Sequence, residues 1–286
     1  MAVRRILARL GTRLLQTWQL DLDHPSGFRL ILNEYNRGIP SREAAGWWAR
    51  ERTPMHARHL VPFLLVASIA VPAPAGPPLR LSPVLPEVNK HLEEGQADLA
   101  SNTPGMAKAH ARLVVIGPEI KFSVLFQNVA PNQHEKCLNV LKSAMDEWEK
   151  DLQGDLRFTR LPDDQTADVV VRFRPSVSMK GEPVAGYVNW KRALIDHSGG
   201  KVDARFSADL QIRVRNLDGN PMPQNAMRHA AMHELGHVLG LDDSPREGDV
   251  MGPLDIDNPV SAPTPLEIQT VKSIRSQAEQ IILQAG

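Results

Sequence analysis

The sequence predicts an α+β domain over residues 112–286, and three features carry the prediction. β-rich runs bounded by proline recur between residues 118 and 214. The first of them is followed by a long stretch with apolar residues at three- and four-residue steps, the period of an amphipathic helix. Two further helical stretches close the chain, one dense in histidine and one opening on a capping signal.

Residues 120–126 (IKFSVLF), between Pro118 and Pro131, read as a strand. Residues 132–152 put Leu138, Leu141, Met145, Trp148 and Leu152 on one helical face, and Gly154 ends that helix. Cys137 lies inside it beside Leu138, which points to a buried, inert thiol; as the single cysteine it forms no intrachain disulfide. Residues 156–159 extend towards 167–173 (ADVVVRF), a strand pattern, and 185–190 (AGYVNW) read as another strand. Residues 208–214 (ADLQIRV) alternate apolar and polar, as a half-exposed or edge strand does. A helix is expected over about 223–239. The last helix opens at Thr264-Pro265-Leu266-Glu267, a capping box with proline at the first helical position, and turns Ile268, Val271, Ile274, Ala278 and Ile281 to one side.

At 286 residues, one or two domains are expected, and a hydrophobic content of 42% is enough for a core. The formal net charge is zero, so nothing points to nucleic acid as a partner. The charge is uneven, however: residues 1–54 hold nine Arg against five Asp or Glu. From Met55 the chain reads MHARHLVPFLLVASIAVPAPAGPP, with a short basic start, an apolar run over 60–71 and then Ala73-Pro74-Ala75. That is the form of a secretory signal peptide cleaved after Ala75. The apolar run falls short of the roughly 20 residues of a membrane span, so no stable span is expected. The expected organisation is an over-extended start or unstructured extension over 1–54 and a signal-peptide-like segment over 55–75. A Pro-rich linker or short pro-segment follows over 76–111, and the folded domain over 112–286. The other reading of the start is a cytoplasmic extension with 60–71 as a short anchor. The first reading implies a secreted, periplasmic or extracellular protein.

The richest segment is AMRHAAMHELGHVLGLDDSPREGDVMGP. His233 and His237 are four residues apart, so on a helix they share a face, about 6 Å apart along the axis. Two imidazoles so placed can bind one Zn²⁺. Glu234, one residue on, is turned away from the ligand positions but close to a metal-bound water. Asp243 lies six residues past His237 and in a continuing helix would sit about 9 Å further along, on another face. The helix must therefore stop and turn back, and Gly240 sits where a left-handed C-terminus is needed. Three protein ligands leave an open zinc position for water, whose pKa zinc lowers from 15.7 to about 7. Glu234 can then take a proton from that water and later pass it to a leaving amine.

These residues, HExxHxxGxxD followed by a methionine, resemble the metzincin metallopeptidases and, within them, the matrixin type. The resemblance implies that His233, His237 and Asp243 are zinc ligands, Glu234 the catalytic base and Met251 the methionine beneath the metal. The sequence departs from the common matrixin pattern at Asp243, where most members carry a third histidine, although some bacterial metzincins have aspartate there. It departs again at Gly252, where a tyrosine is frequent. Asp242 is the adjacent alternative ligand, and the family spacing favours Asp243. Glu267 is where a zincin of the other main kind would find a downstream ligand, but its place at a helix start suits a cap. His229, one turn before His233, makes HxxxHxxxH formally available and reads as a helix-surface or supporting group. The resemblance also implies a twisted, mostly parallel sheet with an edge antiparallel strand, an active-site helix, a methionine turn and a C-terminal helix.

The function implied is a secreted zinc endopeptidase that acts on protein or peptide substrates and is a monomer. An extended substrate would add to the sheet, against 208–214. Matrixins carry structural zinc and calcium in the loops before the motif. Here that region offers Asp196, His197, Asp203 and Asp209, a set with one histidine that does not suit a second zinc and leaves Ca²⁺ as an option beside a plain solvated loop. Residues 76–111 contain no cysteine to block the zinc. The competing functions are a non-enzymatic binding module with structural zinc and a zinc hydrolase of non-peptide amides.

Overall fold

A computed structural model describes residues 29–33, 81–162, 166–197 and 201–286. The signal-peptide-like segment and nearly all of the 1–54 extension lie outside the described residues. Eight strands and five helices are described: β1 (Arg29–Asn33), α1 (Pro86–Ala100), α2 (Pro104–Val114), β2 (Glu119–Phe126), α3 (Pro131–Leu152), β3 (Arg157–Arg160), β4 (Val169–Arg174), β5 (Val177–Met179), β6 (Glu182–Val184), β7 (Gly186–His197), β8 (Lys201–Arg213), α4 (Gln224–Val238) and α5 (Pro265–Gln284). None of the described helices is long and apolar enough to cross a membrane.

The main sheet runs in the order β1-β7-β8-β4-β2-β3. β3, β2, β4 and β8 are mutually parallel neighbours, and β7 and β1 complete the sheet antiparallel. The fold is thus α+β with a mostly parallel sheet and an antiparallel margin. Alternation sets the two faces. Val124, Val171, Leu210 and Val188 pair across four strands, as do Phe122, Val169, Ala208 and Trp190, and these rows are largely buried in the core. On the other, more open face, Arg172 and Asp209 form an ion pair at 2.6 Å.

Three expectations change. Residues 208–214 are not an edge: β8 is flanked by β4 and β7, and its alternation records one covered face, not a free side. Residues 156–159 do not run on towards 167–173, because β3 and β4 lie on opposite sides of β2. Asp196, His197 and Asp203 lie on strands and not in a loop: β7 and β8 pair in register as far as His197↔Lys201. Other elements stand where expected. α3 buries Val140, Leu141, Met145, Trp148 and Leu152 and ends at a left-handed Gln153 followed by Gly154. Cys137 is buried, and burial pushes its thiol up to about 11, so it stays protonated and inert at neutral pH.

The 76–111 stretch contributes α1 and most of α2, with Leu85, Val88, Leu92, Ala107 and Ala111 in the main core. Its prolines Pro86 and Pro104 sit in the first turn of each helix, where a missing N–H costs nothing. Glu87 of α1 reaches under the sheet. It accepts a 2.8 Å bond from Trp190 Nε1 and lies 3.5 Å from the guanidinium of the fully buried Arg192, which also donates to the Leu113 carbonyl. Removing one member of a buried pair strands the other charge, whereas removing both costs little. Glu87→Ala is therefore expected to lower unfolding free energy by about 3–5 kcal/mol in urea melts, with Glu87→Ala/Arg192→Met recovering most of it. A single-variant loss below about 0.5 kcal/mol would show the pair to be irrelevant to stability.

Candidate active site

α4 carries the histidines, and its neighbours hold it firmly. Trp148 of α3 donates from Nε1 to the Met232 carbonyl at 3.1 Å. Met251 is fully buried beneath the helix, its sulfur so close to Gly236 that a Cβ there would lie 2.2 Å from it. Only a glycine between the two histidines lets the methionine fit.

The helix ends as the sequence requires. Gly240 takes φ +102°, its N–H bonds the His237 carbonyl at 3.1 Å, and the Leu241 N–H bonds the Gly236 carbonyl at 2.9 Å. This is a Schellman stop. The segment before α1 pairs with the outgoing chain: Leu85 N–H donates to the Gly240 carbonyl at 3.0 Å and Asp242 N–H to the Pro83 carbonyl at 2.9 Å. The chain then reverses, and Asp243 Oδ1 comes to 3.3 Å from His233 Nε2 and 3.5 Å from His237 Nε2. Asp242 turns elsewhere, with Oδ1 accepting the Asp243 N–H.

These contacts fit a shared ion. Donors bound at about 2.0–2.1 Å in tetrahedral geometry lie about 3.3 Å from one another, and the three atoms all lie within 4.8 Å of one another. The ring tautomers agree as well. His233 Nδ1 donates to the Val250 carbonyl and His237 Nδ1 to the Leu241 carbonyl, each at 2.9 Å, which leaves both Nε2 lone pairs directed at the same point. Burial by itself would raise the Asp243 carboxyl, but hydrogen bonds and charge from His233 and His237 hold it well below the usual range, as a ligand needs.

Glu234 points to the neighbouring strand instead. Its carboxylate is buried against β7, next to Gly186 and bonded by the Val188 N–H. Burial pushes it up to about 7, with His233 opposing and Asp243 adding to the rise. Beside it opens a cavity of about 340 Å³ walled by Ala185, Ala230, Met251, Leu254 and Ile256, with Arg213 among its lining residues.

The remaining sequence expectations divide. Glu267 is no ligand: it closes the capping box with Thr264 and accepts the Met251 N–H at 2.7 Å, tying α5 to the methionine turn. His229 is neither on the surface nor among the converging donors. It is 1% exposed, donates from Nε2 to the Val250 carbonyl and accepts the Val260 N–H, and so braces the same turn that orients His233. At Gly252 a Cβ would lie 2.0 Å from the Arg246 carbonyl oxygen, so the turn leaves no room for a tyrosine. The calcium option finds no support: among the described residues Asp196, Asp203 and Asp209 form no converging donor set, and Asp203 pairs with His197 and Lys201 and Asp209 with Arg172.

Sequence reading missed Gly186, since nothing local marks a glycine at a strand start as a neighbour of Glu234. A Cβ at Gly186 would lie 2.6 Å from Glu234 Oε1 and 2.7 Å from its Cγ. Gly186→Ala is thus expected to push the carboxylate aside and lower kcat about 10²-fold with metal content unchanged. Equal loss of metal and activity would show that the ligand set, not Glu234, had moved.

The matrixin family model matches residues 117–275. No curated protein matches. Among solved structures, archaemetzincin from Methanopyrus kandleri is similar at a TM-score of 0.38 and 13% identity, covering 56% of this chain and 97% of that one. With the family model spanning more than half of the sequence, from the strand before α3 into α5, this chain belongs to the matrixin family of zinc-dependent metallopeptidases.

Proposed function

We propose that this chain is a zinc endopeptidase in which His233, His237 and Asp243 hold the metal and Glu234 is the general base. One observation carries the reading. A carboxylate outside the converging donor set is buried beside it, held by the Val188 N–H against the open position left by Gly186, where a general base can reach a water on the shared ion. Zinc, when bound, supplies the Lewis acidity that acidifies a water and polarises a scissile carbonyl. Glu234 removes a proton from the attacking water and delivers it to the departing amine. The Val188 N–H and the space left by Gly186 fix where the carboxylate stands during both transfers.

The cleft geometry suits a peptide. β8 has both sides occupied, whereas β1 pairs β7 only along residues 192–196, so an extended substrate lies along the earlier part of β7, which borders Glu234 and whose Trp190 ring stands 5.9 Å from the His237 ring. A substrate side chain enters the apolar cavity next to Glu234. A buried proton acceptor beside the donors also argues for an enzyme over a binding module, which has no use for one.

Glu234→Ala is expected to retain zinc and lose about 10²–10⁴-fold in kcat on a casein or quenched peptide substrate. A chelator should abolish the wild-type activity, and added zinc should restore it. Turnover near the wild-type level in the alanine variant would refute the role of Glu234. We also propose export through the segment at 55–75, for which N-terminal sequencing of secreted protein should give Gly76 as the first residue. An intact N-terminus would rule out cleavage there.

A further inference from the structure

We propose that His91, Glu94 and His110 form a second metal site, for Zn²⁺ or a similar divalent ion, outside the matrixin span and clamping α1 to α2. The donors converge as those at the active site do. His91 Nδ1 lies 3.0 Å from His110 Nδ1, and Glu94 Oε2 lies 3.5 Å from the first and 3.3 Å from the second. Those separations bracket the edge of about 3.3 Å expected between ligands of a tetrahedral ion. The corresponding distances around Asp243 are 3.3 and 3.5 Å. Among the described residues, these are the two groups of His, Cys, Asp and Glu side chains that converge in this way.

The helices build the site from simple parts. His91 and Glu94 are three residues apart on α1 and share a face. α2 packs against that face with Ala107 and Ala111 in the core, and Gly95 lets the helices approach so closely that its Cβ would lie 3.4 Å from the Ala107 carbonyl. His110 is thereby carried to the two α1 donors. Behind it, His110 Nε2 faces the Asp98 carboxylate, with Oδ2 at 3.6 Å.

A neutral histidine pair and an ion-bound pair distribute the ring protons differently. Two Nδ1 atoms 3.0 Å apart can share one proton at most, so without a cation one ring must take the tautomer that leaves its Nε2 bare. For His110 that would aim a lone pair at Asp98. His91 is 2% exposed, and among the described residues its polar contacts, to His110 and Glu94, are made by Nδ1 and not by Nε2. Glu94 is 38% exposed on its side chain and gives an ion a way in from solvent, together with a face open to a fourth ligand.

The test is zinc stoichiometry on the full chain, loaded with Zn²⁺ alone, dialysed and counted by mass spectrometry. The expected contents are about two equivalents for the wild type and about one for each of Glu94→Ala and His237→Ala, with the double variant close to none. Co²⁺ substitution should then give His237→Ala a residual visible spectrum that Glu94→Ala/His237→Ala lacks. Wild-type protein that binds about one equivalent, and His237→Ala that binds none, would overturn the second site and leave the catalytic one standing. Loss of zinc in Glu94→Ala with none in His237→Ala would uphold the α1–α2 site and sink the catalytic assignment instead. The wild-type and His237→Ala measurements leave α1 and α2 untouched, so the result does not depend on the folding of an altered hairpin.

Discussion

The reversal of the chain at Gly240 is the constraint on which the rest depends. Two imidazoles on one helical face are easily encoded, but the third donor comes from beyond the helix and is useless unless the backbone turns back within a few residues. The left-handed glycine and the paired Schellman bonds accomplish the turn. Backbone bonds from Pro83 and Leu85 then pin the outgoing strand, so the position of Asp243 is secured by chain from some 160 residues upstream. The imidazoles are oriented by the carbonyls of Leu241 and Val250, both of which belong to this same returning segment. Ligand delivery and ligand orientation are therefore one structural event.

A second layer supports that event from the opposite side. Val250 accepts from both His229 and His233, Glu267 accepts from Met251, and Val260 donates to His229. α5 and the methionine turn are thus bound to the active-site helix by polar contacts, most of them buried, where each bond is hard to replace with water. Apolar packing of Met251 under Gly236 sets the spacing, and the polar bonds set the register.

What could be read from the sequence was whatever is local in its physics. The capping box at Thr264 and Glu267, the apolar face of α3, the stop at Gly240 and the HExxH face each involve residues within a turn or two, and each is found where the pattern puts it. Relations between distant segments were not legible. Alternation in 208–214 reports that one face of β8 is covered, yet is silent on whether its sides are paired. The prolines of 76–111 resemble loop punctuation, and only the packing shows that Pro86 and Pro104 begin helices. Once that stretch is taken as a linker, the i, i+3 relation of His91 to Glu94 has no meaning, and His110 has no reason to be near either. The role of Gly186 is wholly tertiary, since its partner lies on another element.

The crowding at Gly252 ties one side chain to the path of a whole loop. The carbonyl of Arg246 fills the volume that any larger residue at that point would claim, and Arg246 is itself anchored through Asp249, which Ser244 also engages. A bulkier residue after the methionine therefore fits only if residues 246–249 take another course, so the side chain and the loop are a single structural variable.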